Sequence, residues 1–424
     1  PSLTLDLPRY QVNYGQRKKG MRDMEKADIF IAGGGLAGLI AAIAFGRAGF
    51  SVICADPMPP VISRNEGNAD LRTTAFLQPS KTFLDDIGLW SVLEHHAMPL
   101  DVMRIIDAGG PEMTPEPRQI KDFKSSEISD QPFGWNVPNW LSRREISHAV
   151  EAEPRVQFLP GVASTKLFTR DQEAKITLSN GTQVKARLVL GADGRSSEIR
   201  NQAGISVSTT RFGQKALAFA VTHPIPHQNV STEIHRSGGP FTLVPLPDYQ
   251  GQPSSAVVWM ETGPNAVALS NMPTEAFEAE MSARSCNHLG PLRLVTWRSL
   301  WPIISQLANR LSGQRVALIA EAAHAVPPIG AQGLNMSLGD IDALLALAKA
   351  DPAHLGDSEM LDSYHRQRIG DLRLRVAGVS LLNSASQAQA QALRDARAFG
   401  LNALHRPAPL RKAMMRLGLQ TRTV

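Results

Sequence analysis

The chain has 424 residues, 43% hydrophobic and 20% charged, with a formal net charge of +5. This balance excludes a disordered or fibrous protein and leaves room for two domains sharing one interface. The only cysteines, Cys54 and Cys286, lack the spaced partners of a zinc site and read as two reduced thiols of a cytoplasmic protein.

Residues 1–26 are polar, basic and aperiodic, and with Met21 and Met24 just ahead of the first strand they read as a flexible extension or an upstream start. Order begins at 28–32, a buried parallel strand, followed by an apolar helix over 36–48 that Gly49 ends, and a second strand over 51–55. The apolar run in this unit is too short and glycine-rich to cross a bilayer, and no secretory leader is expected. Residues 57–68 read as a loop, 79–87 and 143–151 as helices, and 156–158, 175–178 and 188–190 as strands. The β-rich runs at 212–221, 231–235, 241–244 and 256–260 predict an inserted antiparallel sheet. Residues 315–320 return to a parallel-type strand, a long helix follows over 332–349, and 358–382 continues as helix. The expected class is α/β: a Rossmann-like domain with an inserted, mainly antiparallel β-sheet domain and C-terminal helices. The first domain takes residues 27–105, 140–205 and 313–350, the second 106–139 and 206–312, and the helical segment 351–424.

Three motifs carry chemistry. In Gly33-Gly-Gly35-Leu36-Ala37-Gly38, between strand and helix, Gly33 permits the tight turn, Gly35 lets the backbone approach a pyrophosphate, and Gly38 lets helix and strand pack closely. The phosphates would meet free N–H groups and the positive dipole at the helix start. Asp56 closes the second strand at the offset of a carboxylate that holds ribose hydroxyls. This motif specifies a dinucleotide without choosing between FAD and NAD. The second motif, Leu188 to Arg200, is a strand, a turn at Asp193-Gly194 and a helix. The third, Val316 to Asn335, delivers Glu321 from a strand, bends at Pro327-Pro328 and starts a helix near Gln332.

Together the three segments resemble the GxGxxG, DG and GD fingerprints of the single-component (class A) flavoprotein aromatic hydroxylases, from about residue 27 to the C-terminus. Asp70-Leu-Arg72, Gly88-Leu-Trp90, Phe212-Gly-Gln214, Val244-Pro-Leu-Pro247 and Val257-Val-Trp259 look like the ubiquinone-biosynthesis branch. The resemblance implies FAD, with Asp56 on the adenosine ribose, Arg72 along the cofactor, and Arg143 as a further contact for which Arg144 competes. Asp193 and Glu321 would bind the adenosine-to-ribityl chain, and Gly333, Leu334 and Asn335 would face the flavin ring. It also implies NAD(P)H as a transient electron donor without a domain of its own. Oxygen would be transferred from a flavin C4a-hydroperoxide to an activated ring, with the carbonyl of Pro327 or Pro328 polarising the substrate. The chain departs from the pattern at Ala320-Glu321, where Gly-Asp is usual, and at Ala331-Gln332-Gly333, where Gly-Gln-Gly is common. Both departures bear on flavin geometry rather than on the fold.

His324 reads as a packed, structural histidine rather than a general base. Phe219, Phe241 and Trp259 are candidates to line a pocket for an apolar ring, with simple core as the alternative. From Tyr364 onward Asp371 and Asp395 face eleven arginines and lysines. That excess fits an anionic membrane surface, a biosynthetic complex or a solvated helical face, and no nucleic-acid motif accompanies it. The expected substrate is a small prenylated aromatic, a ubiquinone precursor, oxidised with O2 in the cytoplasm or at the inner face of a membrane. Two alternatives stand: a flavoprotein of this fold acting as epoxidase, halogenase or prenyl reductase, and a FAD-poor scaffold.

Overall fold

A computed structural model describes residues 24–61, 63, 64, 66, 67, 69–108, 116–236, 238–387, 405 and 407–419. The first of its two large sheets has the order Ser312–Gly313, Val316–Leu318, Gln183–Gly191, Met24–Ala32, Val52–Asp56, Val156–Pro160. From Val316–Leu318 to Val156–Pro160 the strands are parallel. Residues 29–32, 52–55 and 188–191 are buried in succession, as parallel strands covered on both faces require. The first strand starts earlier than expected, because Met24, Glu25 and Lys26 pair with Gln183, Val184 and Lys185. The Leu36–Arg47 helix buries every residue from 37 to 46 and so has no polar face. It is packed against the Asn139–Glu151 and Gln332–Ala350 helices.

The second sheet has nine strands and is mainly antiparallel, with Ser299–Ala308, Val207–Thr222, Gln252–Thr262, Gly239–Tyr249 and Val230–Arg236 side by side. Val102–Asp107 joins it by a parallel pairing with Val230–Arg236, so this sheet takes up the chain from 102 rather than 106. Alternation along the strands gives the sheet two unlike faces. Leu217, Phe219, Val221, Phe241, Leu243, Val257 and Trp259 form the back, buried against Ala266, Leu269, Phe277 and Met281 of two helices. The front carries Ala216, Ala218, Ala220, Thr242, Val244, Ala256, Val258 and Met260. Ala220, Thr242, Val244 and Val258 there are half-buried, so the front borders a cleft. A three-stranded sheet, Thr73–Leu77, Gly134–Pro138 and Met98–Leu100, links the two large ones, and Asn136 Nδ2 donates to Pro245 O at 2.9 Å.

The Ser358–Ser386 helix extends past the expected 382 and docks through Tyr364, whose buried hydroxyl donates to Leu318 O at 2.8 Å. The Ala408–Gly418 helix packs Met415 and Leu419 on Leu77, Phe123 and Phe133. Among the described residues no helix is long and apolar enough to cross a membrane.

Candidate active site

Strand register brings the three motifs to one edge. Ala32 lies beside Ala55 and Gly191, and Gly191 beside Leu318, so all four strands end together. Just beyond those ends stand the glycine loop, Asp56, Asp193 and Glu321, where ligands bind on parallel sheets. Gly33 has φ +104°, and a Cβ there would sit 2.3 Å from Ala192 O. A Cβ on Gly38 would meet Gly33 O at 1.9 Å, whereas one on Gly35 would meet nothing within 4 Å. Gly35 therefore faces open space at the start of a helix that has no side-chain cap and no acid in its first turn. The N–H groups of Leu36 and Ala37 have no partner earlier in the helix, and a pyrophosphate fits this cradle.

Asp56 accepts from Gly34 N at 2.6 Å and Met58 N at 2.7 Å. Arg143 Nε donates to Gly34 O at 3.1 Å, and its guanidinium lies 3.7 Å from Asp56. Arg144 pairs instead with Glu145, so Arg143 is the arginine at the glycine loop. Asp193 accepts from Ser197 Oγ at 2.5 Å and Ile199 N at 3.0 Å, which ties it to the start of the helix that follows. Glu321 lies between Arg195 at 3.5 Å and Arg72 at 4.0 Å. Arg72 is also held by Asp70 at 2.7 and 2.8 Å, and that carboxylate chiefly raises its pKa. Burial alone would raise the Asp70 carboxyl, but Arg72 draws it below its ordinary value. Asp70 and Arg195 lie inside stretches quoted from the sequence, but the sequence assigned neither of them a role.

Both departures from the family pattern fall on left-handed backbone: Ala320 has φ +54° and Ala331 φ +55°. Alanine there costs roughly 1–2 kcal/mol that glycine avoids. After the entropy glycine adds to the unfolded chain, Ala320→Gly and Ala331→Gly are each expected to stabilise the protein by about 1 kcal/mol. Equilibrium urea unfolding measures this, and lowered midpoints in both variants would show that neither alanine is strained.

Ala331 opens the Gln332–Ala350 helix, which also lacks a side-chain cap. Gly333 faces open space, so the first-turn N–H groups, Leu334 among them, can meet a ring that gains negative charge. The Asn335 side chain is spent inside the protein: Oδ1 accepts from Leu77 N at 2.9 Å, and Nδ2 donates to Ala75 O at 2.8 Å. His324 is packed and bonded to Asp340 at 2.6 Å, and Asp340 also accepts from Arg368 at 2.9 Å. Pro327 is buried, and its carbonyl accepts from Ile329 N at 2.7 Å, while Pro328 is exposed. Ile329 packs against the sheet's front, with Ala216, Met260, Ile303 and Trp301. Arg72 stands over the Trp301 ring at 5.4 Å.

Phe219, Phe241 and Trp259 lie in the back-face core and not at this cleft. A period of two puts them opposite Ala216 and Met260; Phe241 meets Trp259 edge-on, Phe219 meets Phe277 edge-on, and Trp259 tilts against Phe277. Trp301, which packs there beside Phe212, is an aromatic residue at the cleft that sequence reasoning missed. Cys54 and Cys286 are free thiols, and no group of metal-ligating side chains occurs among the described residues.

Residues 26–371 match the model of a family described as FAD binding domain. The ubiquinone hydroxylase UbiL of Rhodospirillum rubrum is 32% identical over 398 residues, covering 93% of this chain and 90% of that protein. The 3-demethoxyubiquinol 3-hydroxylase of Escherichia coli is 24% identical, covering 93% and 99%. The crystal structure of p-nitrophenol 4-monooxygenase PnpA from Pseudomonas putida superposes with a TM-score of 0.75 at 16% identity, over 95% of this chain and all of that one. That likeness shows the fold, and the two uncapped helix starts, the open Gly35 and the carboxylate at the strand end fit the cofactor. The chain therefore belongs to the FAD binding domain family and is an FAD-dependent monooxygenase of the class A hydroxylase type.

Proposed function

We propose that this monooxygenase hydroxylates the ring of an isoprenoid-substituted aromatic, a ubiquinone precursor, with NAD(P)H as its transient electron donor. The ubiquinone hydroxylases among its relatives support the substrate class. The observation that carries the reading is Ile329 packed onto the front of the second sheet, which leaves exposed Pro328 beside an apolar cleft at the cofactor edge. FAD supplies the oxygen-activating chemistry when bound: one atom of O2 replaces a ring hydrogen, and the other leaves as water with an electron pair from the donor.

The chain's own residues bind, orient and dry the site. Asp56 and Arg143 hold the adenosine end, Asp193 and Glu321 the middle, and the helix start at Gly333 and Leu334 the ring. The Pro328 carbonyl orients the substrate hydroxyl, because that of Pro327 is occupied by Ile329 N–H. The apolar front of the sheet excludes water. Incubation of flavin-loaded enzyme with NAD(P)H, O2 and a prenylated phenol is expected to yield a product heavier by one oxygen atom, read by mass spectrometry. Peroxide release without ring product, or reduction of the isoprenoid double bonds, would overturn this reading.

Contact with an anionic membrane surface is part of the proposal. Arg368, Arg375 and Arg411 are committed to Asp340, Asp371 and Glu127 and do not support it. Support comes from exposed Leu374, Leu381 and Leu382 on one helix and Leu410, Met414 and Leu417 on the last, beside Lys412. Arg394, Arg397, Arg406 and Arg422 lie outside the described residues. The protein is expected to float with anionic liposomes at low salt and to be released by high salt. Flotation that ignores both lipid charge and salt would count against it.

A further inference from the structure

The front of the second sheet runs past the ring cleft into a cavity of about 210 Å³. Ala220 and Ala256, opposite each other on neighbouring strands, line it together with Leu246, and Leu71 and Pro138 face them from the other side. Room exists because the strand alternates alanine on this face with Leu217, Phe219 and Val221 on the other. Thr296 also lines the cavity, but its hydroxyl accepts from Ala220 N at 2.9 Å and donates to Trp297 O at 3.0 Å, so it is already committed. Charge gathers at one end, where the Arg64 guanidinium covers the Tyr249 ring at 4.1 Å beside exposed Asp248. Register sets the distance from the ring cleft. Ala220 lies two face positions beyond Ala216, which packs with Ile329, and at about 3.3 Å per residue that is roughly 13 Å.

We infer that this cavity receives a stretch of the substrate's hydrocarbon chain that begins some way from its ring, with the Arg64–Tyr249 pair at the cavity's open outer end. The inference rests on the hydroxylase reading above and deepens it: the ligand is a ring that carries an aliphatic substituent. Burial of that substituent supplies binding energy remote from the reacting carbon.

The test uses flavin-loaded enzyme and two substrates with the same ring, one bearing an isoprenoid chain and one a methyl group. kcat/KM is measured for both in the native enzyme, in Ala220→Leu and in Ala256→Leu. The ratio of the chain-bearing to the methyl compound is expected to fall about tenfold in each variant, mainly through KM. A ratio is insensitive to loss of folded enzyme, so a variant that folds poorly still reports. An unchanged ratio in both variants overturns the chain site and leaves the hydroxylase reading standing. A native enzyme that hydroxylates neither compound overturns that reading, and the chain site with it.

Discussion

Gly35→Ala is expected to leave the apoprotein about as stable as the native chain while weakening FAD binding, and Gly38→Ala to damage both. Gly35 has φ −70° and ψ 178°, which alanine adopts freely, and its new methyl would touch no protein atom. That methyl would instead stand at the uncapped helix start, where a phosphate must approach the N–H groups. Displacing the phosphate by a methyl radius forfeits charge-assisted hydrogen bonds worth about 3 kcal/mol, or about a hundredfold in affinity. At Gly38 the methyl would meet Gly33 O at 1.9 Å, so helix and loop must part before any ligand arrives. Overpacking of that kind costs about 1–3 kcal/mol of fold stability. Urea unfolding of the apoproteins, paired with FAD titration followed by flavin fluorescence, separates the two effects. A Gly35→Ala protein that binds FAD like the native chain would refute the placement of the pyrophosphate.

Asp340→Ala is expected to cost about 3–5 kcal/mol of stability, because it takes from buried His324 its hydrogen-bond partner and leaves Arg368 only the half-exposed Asp371. The carboxylate is fully buried, with His324 on one oxygen and Arg368 on the other. Burial by itself would raise its pKa, but these two partners outweigh burial and hold it below the ordinary value. A folded-state pKa below the unfolded one gives stability that is fully present above the unfolded value, about 3.9. It is lost as pH falls through the folded value. The native protein should therefore lose this contribution only below about pH 4, and Asp340→Ala should lack that part of the acid limb. Urea midpoints measured across the acid range test both statements. A variant as stable as the native chain would mean that the cluster relaxes or admits water.

The shape of the glycine loop was legible in the sequence because each glycine answers a local demand: a positive φ at Gly33, a close approach at Gly38, an open face at Gly35. The same holds for Asp56, fixed by its strand end, and for the packed state of His324. The aromatics of the second sheet were not legible in the same way. A period of two separates Phe219 from Ala220, but it cannot say which face a helix will cover, and here Phe277 and Met281 cover the aromatic one. Trp301 escaped notice because only tertiary packing places Arg72 above it. The pairing of Val102–Asp107 with Val230–Arg236 joins segments more than a hundred residues apart and leaves no local trace. Ala320 and Ala331 were visible as departures, yet their left-handed backbone became apparent only in three dimensions.

Asn335 joins the start of its helix to Leu77, 258 residues earlier in the chain. During synthesis the glycine loop and Asp56 emerge first and can form their βαβ unit promptly, since those contacts are local. The flavin end of the site must wait until the ribosome has released residue 335 and beyond, and the loop to be closed is then long. Loading of FAD is thus a late event of biogenesis, which leaves the nascent chain with an exposed, half-built cleft for most of its translation. Free FAD should accordingly improve the yield of refolded full-length protein, while fragments that end before the Gln332–Ala350 helix should be indifferent to it.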